Sequence, residues 1–431
     1  MDSNAEIAPP DAHPEEDRLY RKVIWRIFPL FFLGFVFSYL DRVNISFAKL
    51  HMAAEFGLSD ASFAVGASVF FWGYMLFEIP SNLILQRVGA RAWIARIMIT
   101  WGGVSVLMVF SRNQTAFYVL RFLLGVCEAG FVPGVMYYTN TWLPARRQGG
   151  MYSRFLMALP VSIVIGAPIS GVILDSMDGV LGLRAWHWLF ILEGAPCILL
   201  GLAILALLRN RPADVHWLTD AQKRYIESNV AREAGHKLAH AGDMLRSGKI
   251  YLLILTMILF NTGFYGLTFW LPTLLQHSGI ASVFHIGLFA AIPFGCAAIT
   301  MYLNARQAEK TGRYRLHGTA AILLGSAGLL LAAFFHDNFG FSLAMLTVAA
   351  SGILALMPIY WTLPGRLLSG TAAAAGLALI NSCGSLSGVL GSLVIGYLGI
   401  QAGMYALAVL LTLCGAIFFF ICPPRGKTGM A

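Results

Sequence analysis

The sequence predicts an all-α polytopic membrane protein, with twelve transmembrane helices in two pseudo-symmetric halves of six. Three observations carry this. Of the 431 residues 58% are hydrophobic and only 12% charged, and mean hydropathy is +0.71; soluble domains hold about 25% charged residues. The apolar residues come in runs long enough to cross about 30 Å of hydrocarbon. The basic residues fall almost entirely in alternate loops, the asymmetry that orients a membrane protein.

The runs lie at about 23–48, 61–85, 92–111, 115–142, 151–174 and 186–208, then 249–276, 283–304, 317–336, 341–364, 371–399 and 403–422. They are numbered as spans 1 to 12. The organisation is a cytoplasmic N-terminal tail (1–22), a six-helix bundle (23–208), a cytoplasmic central loop (209–248), a second six-helix bundle (249–422) and a cytoplasmic C-terminal tail (423–431). Met1 to Arg18 is acidic and proline-bearing, unlike a signal peptide, and reads as a disordered tail. In the central loop Thr219 or Asp220 can cap a short surface helix. The loop reads as a tether or plain linker, with no site.

With both termini inside, most of the 30 Lys and Arg residues gather at the inner ends, including Arg18, Arg21, Lys22, Arg26, Arg87, Arg91, Arg146, Arg147, Arg209, Arg306, Lys310, Arg313 and Arg425. The outer loops hold Lys49, Arg112 and Arg184, and Arg42 and Arg121 lie within spans. The net charge of +9 thus meets anionic lipid, not nucleic acid. The six cysteines are scattered singly, without CxxC or Cys/His ligand spacing, so neither a disulfide nor a metal is expected. No nucleophile elbow or P-loop occurs, and the chain reads as a non-enzyme.

Span 1 carries Asp41 and Arg42, roughly 27 Å along a helix counted from Val23. Charges inside an apolar helix persist by facing a partner or a water-filled cavity. Span 2 ends with Glu78 and the turn Gln86-Arg87-Val88-Gly89-Ala90-Arg91. Half a chain later, span 8 ends with Glu309-Lys310-Thr311-Gly312-Arg313. This recurrence marks an internal repeat. Glu78, Arg87, Gly89, Arg91, Glu309, Lys310, Gly312 and Arg313 are therefore candidate gating residues; the alternative for the two turns is a tight basic turn obeying the inner-loop charge bias.

Span 4 carries Arg121, about 9 Å deep, and Glu128, nearly two turns on and so on the same side. Two acids and two bases can meet between spans 1 and 4. Such a network is either structural or titrating: a carboxylate that loses its Arg to an anionic cargo becomes easier to protonate. Glu193 on span 6 reads as an inter-helix bond, and Asp175 and Asp178 as a solvated helix end. The second half has only neutral deep polar groups, Asn261 and Tyr265 on span 7, Tyr360 and Trp361 on span 10, and Asn381, Ser382 and Ser385 on span 11. They suit recognition of cargo shape. The Gly-rich span 11 permits close helix packing.

The stretches Tyr39-Leu-Asp-Arg-Val-Asn-Ile45, Gly73-Tyr-Met-Leu-Phe-Glu-Ile-Pro-Ser-Asn82, Arg121-Phe-Leu-Leu-Gly-Val-Cys-Glu-Ala-Gly-Phe131, Trp186-His-Trp-Leu-Phe-Ile-Leu-Glu-Gly194, Tyr360-Trp-Thr-Leu-Pro364 and Gly370-Thr-Ala-Ala-Ala-Ala-Gly376 resemble the anion:cation symporter branch of the major facilitator superfamily, nearest its bacterial tartrate and phthalate permeases. The resemblance covers all twelve spans. It implies the major facilitator fold in a bacterial inner membrane and proton-coupled uptake of a small organic anion by rocking of the two halves. It further implies that Arg42 contacts the cargo carboxylate, that Asp41 and Glu128 take the protons with Arg121 as their partner, and that Tyr39, Tyr74, Trp361 and Asn381 line the cavity. Two departures matter. Gln86 stands where an Asp is usual, and Ala158-Leu-Pro-Val161 lacks the polar amide of some sugar-acid permeases.

The reading is a monomeric symporter of a tartrate-like dicarboxylate or an aromatic carboxylate, with the proton as coupling ion and no cofactor. The alternatives are a hexuronate or aldonate symporter and an exporter or antiporter.

Overall fold

A computed structural model describes residues 14–234, 248–363 and 379–423. Twelve helices in it are long and apolar enough to cross a membrane: Glu15–Phe56, Asp60–Val88, Ala90–Phe110, Gln114–Trp142, Arg154–Ser176, Ala185–Leu207, Gly248–His277, Val283–Thr311, Tyr314–Phe334, Phe339–Tyr360, Leu379–Leu398 and Ile400–Ile421. They correspond one to one with spans 1 to 12. The first part of the expected span 11, with the Gly370 to Gly376 stretch, lies outside the described residues, as does the C-terminal tail from position 424.

The packing repeats with an offset of six spans. Span 1 packs on 5 and 6 as span 7 packs on 11 and 12; spans 2 and 4 pair as do 8 and 10; spans 3 and 6 pair as do 9 and 12. The halves meet through spans 1 and 7, 2 and 11, and 5 and 8. Small residues set these distances. A Cβ on Gly73 would strike the Phe122 carbonyl, and one on Gly125 the Phe70 carbonyl, so spans 2 and 4 run in backbone contact.

Three features differ from expectation. Span 1 begins at Pro14, inside the tail read as disordered, and Leu19, Tyr20 and Val23 are buried. The central loop is anchored to the first half. Lys22 Nζ donates to the Trp217 carbonyl at 2.6 Å, Trp217 stacks on Trp142, and Arg26 lies over the Trp217 ring. The surface helix Asp220–Ala234 starts with a reciprocal cap between Thr219 and Gln222, and its Tyr225 bonds Glu16. Span 4 is also not continuous: it is Gln114–Glu128 and Phe131–Trp142, hinged at Gly130 with φ 91°.

At the end remote from both termini the halves are clasped. Lys49, read as an outer-loop residue, is buried. Its Nζ donates to Asp60 at 2.7 Å and to Thr273 of span 7 at 3.3 Å, and lies 4.0 Å over the Trp270 ring. Asp175, read as a solvated end, caps span 8 of the other half. It accepts from Val283 N at 3.1 Å, Phe284 N at 2.8 Å and Ser282 Oγ at 2.8 Å. A carboxylate at a helix N-terminus satisfies donors that lack intrahelical partners. Asp175→Ala is expected to lower stability by about 1 kcal/mol, read as a lower thermal-unfolding midpoint in detergent.

Candidate functional site

The site is built where span 1 crosses the hinge of span 4. Arg42 and Glu128 form an ion pair at 2.6 Å, with side chains 9% and 0% exposed. Glu128 Oε1 accepts from Arg42 Nη2 at 2.6 Å, from Nε at 2.9 Å and from Ser38 Oγ at 2.5 Å. Its Oε2 is buried without a partner. The guanidinium carbon lies 5.4 Å from the Tyr39 ring centre, 5.4 Å from Phe70 and 5.0 Å from Tyr74. Three aromatic faces thus replace water around the cation.

The hinge places Glu128 at a free helix end. Gly130 takes the positive φ that L side chains disfavour, and Ser81 Oγ donates to the Ala129 carbonyl at 2.7 Å. Trp93 Nε1 in turn donates to Ser81 at 3.0 Å. Non-helical backbone at membrane depth requires such substitute partners.

The site reaches the second half. The side chains of Tyr39 and Tyr265 lie beside each other, and Phe71 packs edge-on against Tyr265. Asn381 Nδ2 donates to Glu78 Oε1 at 2.9 Å. Glu78, placed among the gating residues, is therefore buried at the seam between halves, with Asn381 and Ser382 as its partners. Asn261 Nδ2 donates to Met257 Sδ at 3.4 Å. The indole N–H of Trp361 is buried without an acceptor among the described residues.

Asp41 and Arg121 depart from the expected four-membered network. Asp41 turns away from Arg42 toward span 3. Its Oδ2 accepts from Trp101 Nε1 at 2.5 Å, and its Oδ1 from Ser105 Oγ at 2.5 Å and Asn44 Nδ2 at 3.3 Å. Arg121 makes no ion pair among the described residues. It lies 4.9 Å over Phe70, reaches the Gly66 carbonyl at 3.5 Å, and leaves Nη1 and Nη2 buried and unpartnered. The reason is rotational. Successive residues on a helix point about 100° apart, so Asp41 and Arg42 cannot share a face. Trp101 and Ser105, one turn apart on span 3, escaped the sequence reading, as did Ser38, one turn before Arg42; their spacings on the helix are the only signal of either.

In each repeated turn a glycine makes the reversal, and the first turn is tied to the end of span 6. Gly89 (φ 96°) and Gly312 (φ 66°) supply positive φ. Arg91 holds the Leu205 carbonyl and, through its N–H, Asn210. Arg87, Glu309, Lys310 and Arg313 are exposed.

The sequence pattern of the Major Facilitator Superfamily matches residues 31–392. A relative in Agrobacterium vitis that bears the name of a tartrate transporter is 42% identical over 404 residues, 92% of this chain and 89% of that protein. One in Acinetobacter baumannii, named a quinolone resistance transporter, is 36% identical over 415 residues, covering 94% and 95%. Among solved structures, the bacterial homologue of the human lysosomal transporter Spinster, inward-facing and occupied, superposes with a TM-score of 0.76 at 18% identity, covering 96% of this chain and 99% of that one.

Gly130→Ala is expected to cost about 1–2 kcal/mol from the positive φ alone, and more because the new Cβ meets Ser81. A fall in the thermal-unfolding midpoint larger than that of Gly103→Ala, where a Cβ meets open space, checks it.

Proposed function

This chain belongs to the major facilitator superfamily, and we propose that it is a proton-coupled symporter of a small organic anion of the anion:cation symporter type. It works by alternating access in a bacterial inner membrane, as a monomer with both termini cytoplasmic. The observation that carries the reading is the ion pair of Arg42 and Glu128 at the seam between halves. A buried pair is a weak stabiliser, and breaking it leaves a costly lone charge. A cargo carboxylate that takes the fork of Arg42 leaves Glu128 unpaired in a dry site, and a proton then neutralises it. Anion and proton thereby enter together. The aromatic faces around Arg42 and the neutral groups of the second half, Tyr265, Asn261, Trp361 and Asn381, bind the rest of the cargo. The tartrate-named relative supports a dicarboxylate, and the aromatic lining an aromatic carboxylate.

The quinolone-named relative supports a second reading, export. A cationic drug would seek an acid free of Arg, and Glu78 is the seam acid without a cation partner among the described residues. Counterflow in proteoliposomes separates the two readings: labelled tartrate or benzoate exchanges in the first, a labelled fluoroquinolone in the second.

Arg42→Ala is expected to weaken carboxylate binding at least about thirtyfold, the cost of truncating a buried charge partner. Tartrate and benzoate shifts of the unfolding midpoint measure it. Glu128→Gln is expected to abolish uphill uptake driven by an inward proton gradient while exchange persists. Undiminished uphill uptake in that variant would remove the coupling.

A further inference from the structure

Span 6 carries an acid that the transport reading does not use. Glu193 is 3% exposed. Ser170 Oγ of span 5 donates to its Oε1 at 3.2 Å, and its Oε2 is buried without a partner among the described residues. The Asn44 side chain of span 1 lies beside it and donates to Asp41 Oδ1 at 3.3 Å. One side-chain amide thus stands between two carboxyl groups, and its own Oδ1 is buried and unpartnered.

The surroundings offer Glu193 no counter-charge. From span 1 it faces Asp41, and from its own helix Cys197. Span 3 contributes Gly102 and Ser105, packed against Gly194, and span 5 contributes Ser170. Arg42 is committed to Glu128, and Arg121 acts on Asp41 and Glu128. Among the described residues no cation pairs with Glu193. Asp41, by contrast, accepts three hydrogen bonds and fits an ionised carboxylate.

Two carboxylates sharing one amide in a site closed to water repel each other without compensation. A proton on Glu193 removes the repulsion, turns its unpartnered oxygen from an unmet acceptor into a donor, and leaves Asn44 to Asp41. We propose that Glu193 is a resident protonation site, held as the neutral acid, and that through Asn44 it positions the Asp41 carboxylate. The assignment of the proton does not depend on the symport reading; only the role of Asp41 in transport rests on it.

Infrared difference titration of the purified protein in lipid nanodiscs tests it without a substrate. The expected result is a protonated-carboxyl carbonyl band at neutral pH that Glu193→Gln deletes and Asp41→Asn retains. Gln is a neutral stand-in for the protonated acid, so the titration of Asp41 should stay in place in Glu193→Gln. It should move by about one pH unit in Asn44→Leu, which removes a donor to the carboxylate. A band unchanged in Glu193→Gln overturns the proposal. A Glu193→Gln variant that displaces the Asp41 titration by a unit or more also overturns it, because the wild-type group would then be charged. If Glu193→Gln does not fold, Glu193→Asp serves: the proposal requires the band to shift, and an unshifted band overturns it. Gradient-driven tartrate uptake by Asp41→Asn tests the symport reading separately. Undiminished uptake there would strip Asp41 of its transport role and leave the result on Glu193 standing.

Discussion

A guanidinium and a carboxylate in contact at the centre of a lipid-embedded bundle constrain everything around them. Removing two charges from water costs more than their attraction returns unless further hydrogen bonds complete the site. The fold supplies these one at a time. Ser38 adds a third donor to the Glu128 oxygen that Arg42 already holds, and three rings cover the guanidinium. The rings of Phe70 and Tyr74 reach it because Gly73 and Gly125 let spans 2 and 4 run in backbone contact. Glu128 reaches it from the end of a helix that stops at Gly130, where Ser81 takes up the freed carbonyl. Local glycines, a broken span and a buried charge are one arrangement seen at three scales.

The pair lies at the seam between halves, and the second half meets it with aromatic and amide groups, not with charge. Tyr265 reaches Tyr39 and Asn381 reaches Glu78, so every polar contact described there pairs a first-half residue with a neutral partner. Neutral hydrogen bonds are individually modest in net energy and can be exchanged for contacts to a cargo. The clasp at the remote end is of another kind, with Lys49 and Asp175 each contributing a full charge across the seam. On the transport reading this asymmetry makes the remote end the firmer closure in this state and leaves the centre free to rearrange.

Much of this was legible in the residues. Apolar run length placed all twelve spans, because hydrocarbon thickness fixes how much helix must be apolar. The cost of buried charge singled out Asp41, Arg42, Arg121 and Glu128. What the sequence could not carry is rotation between helices. Spacing puts Arg121 and Glu128 on one side of span 4, yet Glu128 pairs with Arg42, while Arg121 lies against the Phe70 ring and pairs with no acid among the described residues. Lys49 and Asp175 were misplaced for a related reason: a charge beyond an apolar run looks solvated until a neighbouring half covers it. The hinge at Gly130 was present as a glycine near Pro133, but small residues are common in membrane helices that do not break, so the signal was too weak alone.

Adjacent residues on one helix then explain why one pair of acids can do two jobs. Asp41 and Arg42 are consecutive and so point about 100° apart. Arg42 turns to the seam, where it holds Glu128. Asp41 turns inward, where Trp101, Ser105 and Asn44 hold it with no exposed surface. On the transport reading, an acid at the seam would change partners when cargo arrives, and an acid behind it would feel only the altered field of the first. If both acids bind protons during transport, Glu128 responds to the cargo by losing a contact, and Asp41 responds through electrostatics alone. The order of events would then be set by geometry: the seam acid first, the sheltered acid after it.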